Sequence, residues 1–221
     1  MFSAETIKML IDGTADTLYM TFFSTVFAYL FAFPLGIALV ITKKDGLKPK
    51  PVLNRILDII VNVGRSIPFL ILLIAVIPLT TLIAGKSYGT TATIVPLVIA
   101  ATPFIARLIE SSLEEVDKGV IEAAQSMGAS IKTIIFNVLI PEAKTSLIVG
   151  GTIVIGTILS YSAMAGVVGG GGLGDIAIRY GYYRYQTDIM LITVILLVVL
   201  VQILQEIGMR IAKKTDKRVI K

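Results

Sequence analysis

Long apolar runs separated by short charged stretches dominate the chain. A helix needs roughly 20 predominantly apolar residues to cross about 30 Å of hydrocarbon. Five segments reach that length: about 18–41, 66–84, 91–109, 145–167 and 189–207. Each predicts a membrane-spanning helix, so the fold class is all-α and polytopic, one transmembrane domain over residues 1–221. The stretch 52–64 is mixed: Asp58 and Asn62 sit among Val52, Leu53, Ile56, Leu57, Ile60 and Val61 at helical spacing. It reads either as an interfacial helix or as an extension of the second span, with Arg65 at the boundary. The first apolar run follows the acids Glu5, Asp12 and Asp16. A signal peptide would have basic residues first and a shorter core, so this run reads as a span.

Lys and Arg orient the bundle, because cytoplasmic loops carry an excess of them. With the N-terminus outside, the first loop, the third loop and the C-terminal tail are cytoplasmic and hold fifteen of the 20 basic residues. Only Lys8, Lys86, Arg179 and Arg184 fall outside. The bias predicts N-out, C-in and an odd number of spans. It also accounts for the net charge of +5 without nucleic acid.

The chain has no Cys and no His. Disulfides and thiolate metal sites are thereby excluded, and the commonest metal ligand and general base is missing. No metal site or catalytic residue is expected. Gly169-x-Gly171-x-x-Gly174 matches a dinucleotide fingerprint by letter, but it follows a membrane span rather than a strand, so it predicts a flexible external turn. Gly85-Lys86-Ser87 resembles the end of a phosphate-binding loop, yet Thr80 stands where the earlier glycine belongs. No ATP site is expected in this chain.

Pro34, Pro68, Pro78, Pro96 and Pro103 lie in the spans, and Gly150, Gly151 and Gly156 in the fourth. Close bundle packing and broken helices lining a pathway both fit them. No internal repeat is visible, so five unrepeated spans read as half of a two-fold assembly with the pathway on its axis.

The third loop, about 110–143, is the most informative segment. Val120, Ala124 and Met127 share a helical face, Gly128 predicts a left-handed stop, and Ser130 predicts the cap of a second short helix. Pro141 is expected to close that helix before the fourth span. Ala123 and Ala124 keep the exposed surface low, and Glu122 adds one acid at the tip. By periodicity alone a plain helical hairpin and a docking element look the same.

Glu122-Ala123-Ala124, then Gly128, then Ile140-Pro141, resembles the EAA motif of ABC importer permeases. Arg65-Ser66-Ile67-Pro68-Phe69, Pro103 to Arg107, Tyr161-Ser162-Ala163-Met164, and Gly171 to Gly174 followed by Tyr180-Gly181-Tyr182 are similar to methionine-import permeases. The resemblance covers residues from about 15 to 210 and matches the five-span count. It implies the type I importer permease fold, with the third loop as a cytoplasmic coupling helix gripped by an ATPase. Glu122, Ala123, Ala124, Gly128 and Pro141 would belong to that device. It further implies a permease homodimer, two copies of an ATPase that carries the ATP and Mg, and an extracytoplasmic substrate-binding protein, a lipoprotein. D- and L-methionine are the implied substrates, with another amino acid or small solute as the alternative. The implied location is the bacterial cytoplasmic membrane.

By the same resemblance, Met164 gates the axial pathway near Tyr161 and Ser162. A flexible thioether could equally fill a gap in packing. Arg65 fits a pathway position, an acid partner or a lipid phosphate. Tyr180, Tyr182, Tyr183 and Tyr185 fit an interfacial aromatic belt or a docking surface for the binding protein. An ion-coupled secondary transporter would place acids inside the spans, and these are nearly free of them; Glu110 and Glu206 lie at the predicted cytoplasmic ends. A membrane enzyme would need a nucleophile–base pair or a metal cluster, for which the missing His and Cys leave little material.

Overall fold

The structure, a computed structural model, describes residues 2–215. The tail residues Lys217, Arg218 and Lys221, counted among the cytoplasmic cations, lie outside the described residues. Every element among the described residues is helical. In chain order they are α1 (Ala4–Thr42), α2 (Pro51–Ser66), α3 (Phe69–Ala75), α4 (Ile77–Ala84) and α5 (Thr90–Glu114). Next come α6 (Lys118–Ser126), α7 (Ile131–Ile134), a π turn (Ile135–Leu139), α8 (Ile140–Glu142) and α9 (Lys144–Ala165). A 3-10 turn (Gly166–Val168), α10 (Gly172–Ile176), a second π turn (Ala177–Tyr182) and α11 (Thr187–Thr215) follow.

Four helical runs are long and apolar enough to cross a membrane: α1, α5, Lys144–Tyr182 and α11. Counting the bent pair α2 and α3 as one broken span gives five. The second span is therefore not the continuous helix expected over 66–84. Pro68 ends α2, because the residue before a proline is pushed out of the helical region. Pro78 opens α4 after a second break at Val76. Pro34, Pro96 and Pro103, by contrast, lie inside continuous helices. Nor does α1 wait for the apolar run at Leu18. Ser3 caps it by accepting a hydrogen bond from the Thr6 N–H at 3.2 Å, and the acids at 5, 12 and 16 lie within the helix.

Contacts divide the chain into two compact units, each with parts of α1, α5, α9 and α11. The first comprises residues 1–28, 67–101 and 154–205. Its core gathers Met20, Phe69, Leu73, Leu97 and Ala165, with a second cluster of Leu10, Leu173, Ile176 and Ile189. The glycine-rich segment belongs to this core and is not a loose external turn. A Cβ on Gly174 would run into the Ala163 backbone, and one on Gly166 into Gly174. The Leu173 N–H donates to the Thr17 hydroxyl at 2.9 Å. Glycine lets backbone meet backbone here, which is how helices approach closely without a hydrophobic drive in lipid. Thr17, Thr21 and Thr25 donate to carbonyls four residues back, at 2.7–2.8 Å, so these three hydroxyls are satisfied inside their own helix.

The second unit comprises residues 29–66, 102–153 and 206–221, described here to Thr215. Leu39, Val61, Ile105, Ile109, Leu113, Ile134 and Leu139 are buried. Gly36 abuts Ala106 and Ile109, and Gly64 abuts Pro103. The Asn54 amide donates to the Leu39 carbonyl at 2.7 Å and to the Thr42 hydroxyl at 3.0 Å. It thereby satisfies one of the carbonyls that the end of α1 leaves open and fastens α2 to it.

Candidate functional site

The segment between α5 and α9 lies wholly in the second unit. Asp117 opens α6: its carboxylate accepts from the Gly119 N–H at 2.7 Å. The helix carries Lys118 to Ser126 and stops at Gly128, whose φ is +76°. The closure is a Schellman motif: the Gly128 N–H donates to the Gln125 carbonyl at 2.9 Å and the Ala129 N–H to the Ala124 carbonyl at 3.1 Å. The expected glycine stop is therefore present. Ser130 caps α7 as its position predicts, accepting from the Thr133 N–H at 3.2 Å.

Pro141 behaves differently from expectation. It does not close the second short helix, because helical backbone runs from Ile131 through Glu142 and resumes at Lys144. The π turn just before it widens the backbone, with the Ile140 N–H reaching back to the Ile135 carbonyl. Pro141 then sits in α8 directly after that widened turn. The Ala143 N–H still reaches the Leu139 carbonyl at 2.9 Å.

The face of α6 also splits. Glu122 and Ala123 are exposed, while Ala124 is buried toward the segment's own second half. Met127, which shares the face of Val120 and Ala124 by spacing, is 81% exposed. With Val120 and Phe136 also exposed, the hairpin presents apolar side chains as well as the Glu122 carboxylate, a surface suited to a protein partner. An open groove beside it is lined by Asp117, Val120, Pro141, Glu142, Lys144 and Lys214.

A charged network stands at the root of this hairpin. Glu110, with a side chain only 3% exposed, accepts from Lys43 at 3.0 Å and from Arg107 at 2.7 Å. Arg107 also bonds Asp58 at 2.6 Å and Asn62 at 2.9 Å. Lys43 meets Glu114 as well, and Lys118 reaches Asp45 at 3.1 Å. Burial alone would pull the Lys43 ammonium down, but its bonds to Glu114 and Glu110 outweigh that and hold its pKa above 10.5. The bond from Lys118 holds the Asp45 carboxyl below 3.8. Sequence reading missed this network, since its bonded partners are up to 73 residues apart and no local spacing reveals them. Asp117 was also missed, although an Asp just before a helical pattern is itself a start signal.

The other candidate residues occupy separate places. In the first unit, Tyr161 stacks on Phe69 with ring centroids 4.4 Å apart. Met164, one turn further along α9, is exposed. Ser162 is buried and donates its hydroxyl to the Leu159 carbonyl at 2.7 Å. Arg65 is exposed in the last turn of α2, in the second unit. Tyr182, Tyr183 and Tyr185 are exposed, and Tyr185 adopts a left-handed φ of 56°.

Broken and continuous apolar helices, with one compact helical hairpin between spans, define the class: a polytopic α-helical membrane protein. The chain belongs to the binding-protein-dependent transport system inner membrane component family, whose model matches residues 32–220. It is thus a multi-pass inner-membrane chain of a transport system. It is 53% identical over 210 residues to a Vibrio cholerae chain described as a probable D-methionine transport system permease protein, MetI, covering 95% of this chain and 93% of that one. It is 43% identical over 207 residues to the Bacillus subtilis methionine import system permease MetP, covering 94% and 93%. Its fold superposes on a chain of the inward-facing MetNI methionine ABC transporter with a TM-score of 0.96 at 42% identity, covering 98% and 100% of the two chains. That agreement establishes the type I importer permease fold.

Proposed function

We propose that this chain is the membrane-spanning subunit of an ABC importer that takes up methionine, with the α6 hairpin as the element gripped by the ATPase. Two copies form the pathway, and two ATPase subunits carry ATP and Mg. An extracytoplasmic binding protein delivers the substrate. The observation that carries this reading is Glu122-Ala123-Ala124 on a capped helix that ends in a left-handed glycine. The hairpin is held shut by its own hydrogen bonds, so a push at its tip is passed to α5 and α9 and is not absorbed as bending.

The orientation N-out, C-in rests on the distribution of Lys and Arg. It puts the hairpin where an ATPase reaches it. Met164 and Tyr161, one turn apart on α9, are the residues we assign to the pathway; Arg65 stands at the end of α2, beside the break in the second span. Ser162, with its hydroxyl on an internal carbonyl, supports the helix beside them.

The experiment is uptake of labelled L- and D-methionine into proteoliposomes holding the permease, its ATPase and the binding protein. Uptake should require ATP and Mg. Glu122→Lys, which places a repelling charge at the contact, should lower it about tenfold or more. Uptake that persists without ATP, or that is normal in Glu122→Lys, overturns the proposal.

A further inference from the structure

The α1–α2 connection is built as a rigid piece. The Lys48 N–H donates to the Ile41 carbonyl at 2.8 Å, the Lys50 N–H to the Thr42 carbonyl at 3.0 Å, and the Gly46 N–H to the Lys43 carbonyl at 3.0 Å. The turn folds so tightly on the end of α1 that a Cβ on Gly46 would meet the Val40 and Ile41 carbonyls at 2.6 and 2.7 Å. Asn54 then fastens α2 to the same helix end.

This rigid piece is tied to the hairpin at two levels. At the stem, Lys43 pairs with Glu110 and Glu114, four residues apart on α5. At the start of α6, Asp45 pairs with Lys118. A third tie runs from α5 to α2, through Arg107 to Asp58 and Asn62. The ties therefore form a closed ring through α5, the connection and α2.

We infer that the Lys43–Lys50 connection and α2 form a second arm of the coupling device, with Lys43 and Asp45 as the positioning residues that make them move with the hairpin. Covalently, the hairpin is joined only to α5 and α9. The ion pairs add a route to α2, the first limb of the broken second span, which ends at Ser66. The stem pair carries more of the load. Glu110 is buried and would be left with a single cation if Lys43 were lost, whereas the Lys118–Asp45 pair is exposed and weak by itself. This inference rests on the hairpin being the ATPase grip.

The test uses the full complex in proteoliposomes with its binding protein and reads methionine imported per ATP hydrolysed. The paired variant Lys43→Met with Asp45→Asn should keep the ATPase bound and hydrolysing while import per ATP falls about fivefold. Lys43→Arg should restore the ratio, because it keeps the cation at the stem. A merely structural role would lower hydrolysis and import together and leave their ratio unchanged, and that result overturns the second arm. If the paired variant does not assemble, Lys43→Gln alone, which removes the cation from the stem and leaves Asp45 in place, carries the same test with the same two outcomes. Normal import in Glu122→Lys in the same vesicles would instead sink the grip, and the second arm with it. Normal sensitivity of Glu122→Lys beside an unchanged ratio in the Lys43 variant sinks the second arm alone.

Discussion

Phe69 lies flat on Tyr161, with ring centroids 4.4 Å apart and planes 2° from parallel. Phe69 is the first helical residue after the break at Pro68, so the stack locks the restart of the broken span onto α9. Such a pair contributes about 0.5–1.5 kcal/mol beyond the area it buries. Tyr161→Phe keeps the stack and should leave thermal stability in detergent unchanged. A double-mutant cycle of Phe69→Leu and Tyr161→Leu should give a coupling of about 1 kcal/mol. Strict additivity in that cycle would show that the two rings do not hold each other.

Two glycines with different tasks should respond differently to substitution. Gly128 sits at φ +76° with open space where a Cβ would go, so only its backbone conformation is demanding. An L-residue there costs roughly 1–2 kcal/mol, and Asn tolerates the region best. Gly128→Asn should keep most uptake, whereas Gly128→Val should lose it. Gly174 has an ordinary backbone, but its Cβ would collide with the Ala163 backbone. Gly174→Ala should therefore lower the melting temperature sharply, and Gly174→Asn should not rescue it. Equal tolerance at both sites, read by melting and uptake, would contradict this division.

The root network predicts a pH profile. The folded state favours charged Lys43, so the stability it adds is fully present below 10.5 and is lost as pH rises through the elevated folded value. Asp45 is the reverse case: its contribution is present above 3.8 and is lost as pH falls through the depressed value. The difference in melting temperature between the native chain and Lys43→Met should hold constant from about pH 5 to 9 and close only in strong alkali. Asp45→Asn alone should move melting little, because both partners of that pair are exposed. A difference that already closes between pH 6 and 8 would mean another group sets the profile.

The apolar runs revealed the helices, because spanning length is a property of local composition. They did not reveal the helix ends. Ser3 starts α1 well before the lipid-length stretch, and Pro68 and Pro78 cut the second run where hydropathy alone sees continuity. The hairpin was legible through Gly128 and Ser130, whose conformational and capping roles depend on near neighbours. Pro141 misled, because the widened turn that accommodates it has no sequence signature of its own. The shared face of Val120, Ala124 and Met127 did not tell which of the three is covered: only Ala124 is buried, because the fold and not the spacing decides what packs on so short a helix. The Lys43–Glu110–Arg107–Asp58 network joins residues distant in sequence, and only the fold brings them together.

The last prediction concerns sidedness. The chain has no cysteine, so a single engineered thiol is a clean reporter. Met127 at the hairpin tip and Tyr185 in the turn before α11 are 81% and 88% exposed, so a thiol at either position is reachable without disturbing a core. Basic residues favour the cytoplasmic side, and the segment carrying Met127 lies between Lys118 and Lys132, while Tyr185 follows only Arg184 and Arg179 after a long apolar run. In intact cells an impermeant maleimide should label Tyr185→Cys and leave Met127→Cys untouched. In inverted membrane vesicles the pattern should reverse. Adding the ATPase subunit to such vesicles should then protect Met127→Cys, because the tip becomes buried in its cleft. Labelling of Met127→Cys in intact cells would put the hairpin on the wrong side for any ATP-driven partner and would remove the basis of the proposed coupling.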